Sequence, residues 1–162
     1  MGLVIGVILG IVALLYALSL VVPYEPVKVN RKVLRQVKDK YEQKARQYAT
    51  GVVSDSFLLA VIYYESRGKE SARGRDGEWG IFQIMPFHFP EKMGDREKVK
   101  VSVQFKYALG ILEKASEILA RRGELTPVNL YAFYNGGWNY KTRICQQRGQ
   151  EVSEIASMIP QI

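Results

Sequence analysis

Residues 55–86 read DSFLLAVIYYESRGKESARGRDGEWGIFQIMP. The stretch opens as a helix. Ser54 stands where a cap accepts the first free amides, and Phe57, Leu58, Ala60, Val61 and Ile62 form an apolar run reaching Arg67. Gly68, Gly74 and Gly77 then open a polar loop that lasts to Trp79. The short apolar piece Ile81 to Met85 ends at Pro86 and fits a strand or one helical turn equally. One carboxylate is unusually placed. Glu65 follows LLAVIYY, at the end of an apolar helix and just before the glycine-rich loop. A glutamate at a helix end is ordinarily solvated. At the mouth of an apolar cleft, however, its pKa rises and it can serve as a general acid.

Downstream the pattern stays helical. Lys100 to Arg122 is a long amphipathic helix stopped by Gly123, with Val103, Tyr107, Leu109, Ile111, Leu112, Ala115, Ile118 and Leu119 on its apolar side. Thr126-Pro127 starts another helix, threonine as cap and proline in the first turn. It runs through Tyr134 to Asn135-Gly136-Gly137, and a last helix is expected from Glu151 to Met158. Upstream, Asn30 to Thr50 reads as a helix with Leu34, Val37, Tyr41, Ala45 and Tyr48 on one face and a basic opposite face. The expected fold class is therefore mainly α.

The 162 residues carry a formal net charge of +7, distributed unevenly. Between Glu25 and Tyr48, eight Lys and Arg face three Asp and Glu, so five of the seven excess charges lie in this neck. From Met1 to Tyr24 no side chain is charged. Residues 2–22 are almost wholly apolar, and as a helix they would span roughly 30 Å, the thickness of a bilayer core. A cleaved leader is the alternative, with Ala17-Leu18-Ser19 as its cleavage site. No Lys or Arg precedes the apolar run, and this absence together with the length points to a retained anchor. Gly2, Gly6 and Gly10 line one face, suited to close packing with a second membrane helix, although glycine is also simply common in such helices. The neck helix suits anionic headgroups, or packs its apolar stripe on the domain that follows; the two roles are compatible. The expected organisation is an anchor over 1–24, a basic juxtamembrane helix or linker over 25–50, and a catalytic domain over 51–162.

Several functions are excluded. One Cys rules out a disulfide within the chain, and one His and one Cys make no zinc site. There is no phosphate loop and no serine nucleophile elbow. The basic neck lacks the interleaved aromatics of a nucleic-acid surface, so no nucleic-acid partner is expected.

Three ordered segments remain: Glu65-Ser66, then Gly80-Ile81-Phe82-Gln83-Ile84-Met85-Pro86, then Phe133-Tyr134-Asn135-Gly136-Gly137. Together they resemble the soluble lytic transglycosylase family of the lysozyme-like superfamily, whose pattern is Glu-Ser, Gly-Leu-Met-Gln-Ile-Met-Pro and Ala-Tyr-Asn-Ala-Gly. The resemblance covers about residues 50–140 and implies a lysozyme-like helical domain acting on peptidoglycan glycan strands, with no metal or cofactor. It implies Glu65 as the single catalytic acid and base. Ser66, Gln83, Met85 and Asn135 become substrate-binding candidates, and Tyr134 the residue that orients the carboxyl. Read from the residues alone, Met85 and Phe82 are equally core, Tyr134 a packed aromatic, and Asn135-Gly136-Gly137 a helix-ending turn. The chain departs from the pattern at Gly74, where the family often has serine, and at Phe133, where it has alanine. Thr142-Arg143 only partly echoes the family's tail.

The reaction so implied breaks the bond between N-acetylmuramic acid and N-acetylglucosamine and closes a 1,6-anhydro ring. A lysozyme-type hydrolysis is the near rival and would need a second acid, for which the loop offers Asp76 and Glu78. A non-catalytic wall-binding or membrane scaffold is the distant one. Lys and Arg flanking a membrane helix tend to stay cytoplasmic, which would hold the domain inside the cell, whereas wall cleavage requires the outside. Three routes meet this conflict: the leader is cleaved, the domain is translocated regardless of charge, or it is held inside, as in a phage particle membrane, until entry; wall remodelling, secretion-apparatus assembly and phage entry all stay open as contexts.

Overall fold

The computed structural model describes residues 27–162. The expected anchor over 1–24, with Gly2, Gly6 and Gly10, lies outside the described residues. Among the described residues no helix is long and apolar enough to cross a membrane.

Helices dominate in chain order: α1 Arg31–Tyr48, α2 Asp55–Ser66, a 3-10 turn Pro86–His88, the short α3 Asp95–Lys98, α4 Val101–Arg121, α5 Pro127–Gly136, a 3-10 turn Gly137–Asn139, α6 Arg143–Met158 and a final 3-10 turn Ile159–Gln161. Among the described residues extended pairing is limited to isolated bridges joining Trp79 to Arg73 and to Ile84. The caps read from the sequence form. Asn30 Oδ1 accepts from the Val33 amide at 3.2 Å, Ser54 Oγ from Phe57 at 3.1 Å, and Thr126 Oγ1 from Asn129 at 3.1 Å.

α2 is the hub. Phe57 to Tyr63 are all buried, so the helix is enclosed on every side, as its lack of a polar face requires. It packs against α1 and α6, while α5 packs against α4 and α6. α1 buries Leu34, Val37, Tyr41 and Ala45 against this core and leaves its lysines and arginines outward. Tyr41 Oη donates to the Gly68 carbonyl at 3.0 Å, and the Asn30 amide donates to Tyr63 Oη at 2.8 Å. The neck helix is thus built into the domain, and no boundary of the hydrophobic core falls near residue 50.

Two elements differ from expectation. Ile81–Met85 forms neither strand nor helix. The Gln83 amide closes a turn onto the Gly80 carbonyl at 3.2 Å, and Ile84 then bridges to Trp79. The last helix starts at Arg143, eight residues before Glu151. Its first turns, RICQQRGQ, are polar and contain Gly149, which reads as loop. Gly149 is there for contact instead, since a Cβ on it would lie 2.2 Å from the Val128 carbonyl oxygen of α5. Only glycine lets the two helices approach so closely.

Candidate active site

The last turn of α2 carries Glu65 to the edge of the core. The helix ends because Arg67 takes a left-handed conformation, φ 55°. Ser66 secures that ending. It is buried, its one hydroxyl hydrogen is shared between the carbonyls of Ile62 at 3.2 Å and Ile81 at 3.0 Å, and its oxygen accepts from the Gly68 amide at 3.1 Å. Ser66, expected at the substrate, thus turns its side chain into the core and away from the cleft lining. Its hydrogen-bonding capacity is spent joining α2 to the 80–84 turn, which holds Glu65 in place.

Opposite Glu65 runs α5. Tyr131 and Tyr134 stand three residues apart on one face of it, their ring centroids 6.0 Å apart and their planes inclined by 29°. Tyr131 Oη donates to Glu65 Oε1 at 2.5 Å. Tyr134 Oη donates to the Phe82 carbonyl at 2.7 Å. The hydrogen bond to the carboxyl expected of Tyr134 is thus made by Tyr131. The reason is register: Tyr134, one turn further along, reaches the 80–84 turn instead of the carboxylate. Tyr64 packs edge-on against Tyr131 at 5.5 Å and donates to Glu151 Oε2 at 2.7 Å, closing an aromatic wall around the acid.

This wall sets the electrostatics. Burial pushes the Glu65 carboxyl up from 4.5 to about 7. The Tyr131 hydrogen bond and the Arg148 charge pull it down, and the negative Glu78 pushes it further up. Burial and the neighbouring carboxylate hold Tyr131 well above the ordinary phenol range, so it remains a donor. Around neutral pH, Glu65 is accordingly divided between acid and base forms.

Arg148 was not singled out in the sequence. It projects from the early part of α6 that the residue pattern hides, and its Nη1 donates to Asn135 Oδ1 at 2.9 Å. Asn135 and Arg148 are therefore fixed together beside the acid. Glu78, one of the two loop carboxylates considered as a second acid, is turned inward. Its Oε2 accepts from the Asp76 amide at 3.0 Å and sits where a Cβ on Gly74 would be, 2.0 Å away. The departure at Gly74 thus has a local cause, because a serine there would displace Glu78. Gln83, in the left-handed region at φ 47°, donates from Nε2 to the Gly80 carbonyl at 2.7 Å and lies half-buried beside Gly74.

A cleft of about 890 Å³ opens next to these groups. Met85, Tyr134 and Asn135 line it, while Glu65 does not. The two are linked through Tyr134, which stacks on the tyrosine bonded to Glu65, and through Asn135, which is bonded to the arginine whose charge acts on Glu65. Of the six site residues read from the sequence, Glu65, Gln83, Met85, Tyr134 and Asn135 converge on this region, and Ser66 supports it from behind. An acid titrating near neutrality, a phenol that orients it and an adjoining aromatic cleft suit proton transfer to and from a polymer held alongside.

Comparison with known proteins agrees with this architecture. The Transglycosylase SLT domain family matches residues 40–155. Among solved structures, the fold resembles an inactive Glu-to-Gln mutant of lytic transglycosylase Slt from Pseudomonas aeruginosa, with a TM-score of 0.52 and 18% identity over 82% of this chain and 24% of that one. The chain thus spans about a quarter of that protein's length. Among curated proteins nothing matches.

Proposed function

Since the chain belongs to the Transglycosylase SLT domain family, we propose that it is a membrane-anchored peptidoglycan lytic transglycosylase with Glu65 as its single acid and base. The observation that carries this reading is the Glu65 carboxyl, raised to about 7 by burial and held by Tyr131, whose ring stacks on the cleft-lining Tyr134. Protonated Glu65 gives its proton to the oxygen joining N-acetylmuramic acid to N-acetylglucosamine, and the bond breaks through an oxocarbenium-like state. The carboxylate so formed takes the proton of the muramic C6 hydroxyl, whose oxygen closes on C1. The products are a free N-acetylglucosamine end and a 1,6-anhydro-muramic end, and Glu65 is again protonated. The intramolecular attack benefits from a high effective molarity and outruns water. Asn135 and Met85 contact the sugars, and Gln83 shapes the loop beside them.

Hydrolysis is the second reading, and Glu78 favours it. It is a second carboxylate close enough to raise Glu65, as a water-positioning acid would be. Incubating the purified chain with isolated wall and weighing the released sugars separates the two. Anhydro ends lack one water relative to hydrolysed ends, and a product set made only of hydrolysed ends overturns the lyase. Glu65→Gln should abolish release, whereas a scaffold role would survive that change.

Residues 2–22 are proposed as a retained single-pass anchor, supported by their apolar length, with Gly2, Gly6 and Gly10 as a self-association face. The basic neck supports a membrane-proximal domain that either faces the wall or is carried in a phage particle membrane until entry. A topology reporter after Ile162 checks this. A periplasmic signal in the producing cell rules out retention inside, and a cytoplasmic signal rules out wall remodelling by the resident protein.

A further inference from the structure

On α6, Glu151 stands three residues beyond Arg148, at the spacing where an arginine and a glutamate pair along a helix. They do not pair. Both oxygens of Glu151 are occupied, Oε2 by the Tyr64 hydroxyl at 2.7 Å and Oε1 by Gln147 Nε2 at 3.2 Å. Among the described residues no carboxylate lies within ion-pair distance of the Arg148 guanidinium. Arg148 reaches across to α5 instead, where its Nη1 donates to Asn135 Oδ1 at 2.9 Å.

Close packing fixes that reach. A Cβ on Gly149 would collide with the Val128 carbonyl oxygen, and one on Gly136 with Cys145 Sγ. Both contacts press the first turns of α6 onto α5, so the backbone carrying Arg148 is held beside Asn135. Glu65 is faced from several elements at once. Tyr131, which donates to it, and Tyr134 come from α5, Tyr64 from α2 itself, and Glu78 from the loop. From α6 comes Arg148, with Glu151 behind Tyr64. Among the described residues Arg148 is the one cation whose charge acts on Glu65, and it opposes the effect of burial.

We propose that Arg148 is a positioning residue for the acid: clamped by Asn135, it holds a fixed positive charge against which the Glu65 carboxylate forms when its proton leaves for the departing sugar oxygen. This rests on Glu65 being the acid and base of the proposed reaction. Between giving that proton and taking one from the muramic C6 hydroxyl, Glu65 is negative at a desolvated site, where an uncompensated charge is costly. Tyr131 supplies a hydrogen bond but no positive charge. The placement of Arg148 matters as much as its sign. A guanidinium forked directly onto Glu65 would hold the carboxylate permanently charged and unable to donate. Tied to Asn135, Arg148 makes no hydrogen bond or ion pair with Glu65, so it eases the charging of the acid and leaves the proton free to return. Asn135 lines the cleft, which puts the clamp at the wall between substrate and acid.

The test follows the Glu65 carboxyl directly, in the full chain without substrate, through the infrared band of its protonated form, isolated by subtracting the spectrum of Glu65→Gln. Arg148→Gln should raise the midpoint of this titration by about half a pH unit at low ionic strength, and by less as salt is added, since the guanidinium is exposed. Arg148→Lys keeps the charge and should restore most of the shift. Asn135→Ala should move the midpoint in the same direction, and adding it to Arg148→Gln should move it no further. On isolated wall, Arg148→Gln should carry the alkaline limb of the rate profile up by the same amount and lower kcat about twofold, with KM unchanged. Its thermal midpoint should stay at that of the parent, as for other exposed positions. A merely structural arginine would lower the thermal midpoint and leave the titration in place. An unmoved titration in Arg148→Gln, a lysine variant that behaves like the glutamine one, or an Asn135→Ala shift that adds in full overturns the role. Cleavage of wall by the unaltered chain reports separately on the reaction. Titration shifts as stated without cleavage sink the reaction alone, and cleavage with an unmoved titration sinks the role of Arg148 alone.

Discussion

Replacing Glu65 by Gln should remove activity and, at neutral and alkaline pH, make the protein more stable. The Glu65 carboxyl titrates at about 7 in the folded chain against 4.5 when free. That difference of about 2.5 units corresponds to about 3 kcal/mol at ~1.36 kcal/mol per unit. The sign follows from proton counting. Between pH 4.5 and about 7 the folded state keeps a proton that the unfolded state has released, so stability declines as pH rises across this window and is flat on either side. Gln keeps the shape, and its carbonyl still accepts from Tyr131, but it has no charge to desolvate. The two proteins should therefore be equally stable below about pH 4.5, and the variant should gain steadily until it leads by about 3 kcal/mol above pH 7, roughly 10 °C in thermal midpoint. Denaturant titration of both proteins at pH 4, 5, 6, 7 and 8 measures the difference directly. A difference independent of pH would mean that the carboxyl titrates normally. A variant less stable than its parent at pH 8 would mean that the charged form is the one the site favours. Either result refutes the assignment of Glu65 as an acid held protonated by burial.

Tyr131→Phe removes a hydrogen bond that favours the charged carboxylate, so Glu65 should stay protonated to higher pH. The alkaline limb of the rate profile should move up by about one pH unit while the maximal rate falls about tenfold. Glu78→Gln acts in the opposite sense, because its charge raises Glu65, and should move that limb down. Gly74→Ser should do the same by displacing the Glu78 side chain from the space it fills, with little change in thermal midpoint. Leu34→Ala, in the neck helix, should cost about 2–5 kcal/mol by denaturant titration, since Leu34 is fully buried; a loss near zero would show that α1 is only a tether.

What the sequence could show of this site follows from which interactions are local. Glu65 stands out because an ionisable residue ending an apolar run must be solvated, paired or shifted, and the run itself fixes the helix that carries it. The caps at Asn30, Ser54 and Thr126 are equally local, each needing only a side chain and an amide three residues on. Tyr131 and Tyr134 mark where this kind of reading stops. Both lie on one face of the same helix, and which hydroxyl meets the carboxylate depends on how far α5 has slid along α2. Arg148 stayed hidden for a related reason. The start of α6 is polar and contains a glycine, so nothing within it signals a helix; the signal lies in the Val128 backbone, about twenty residues earlier. Ser66 failed differently, because its place beside the acid in the chain is no guide to the direction its side chain takes.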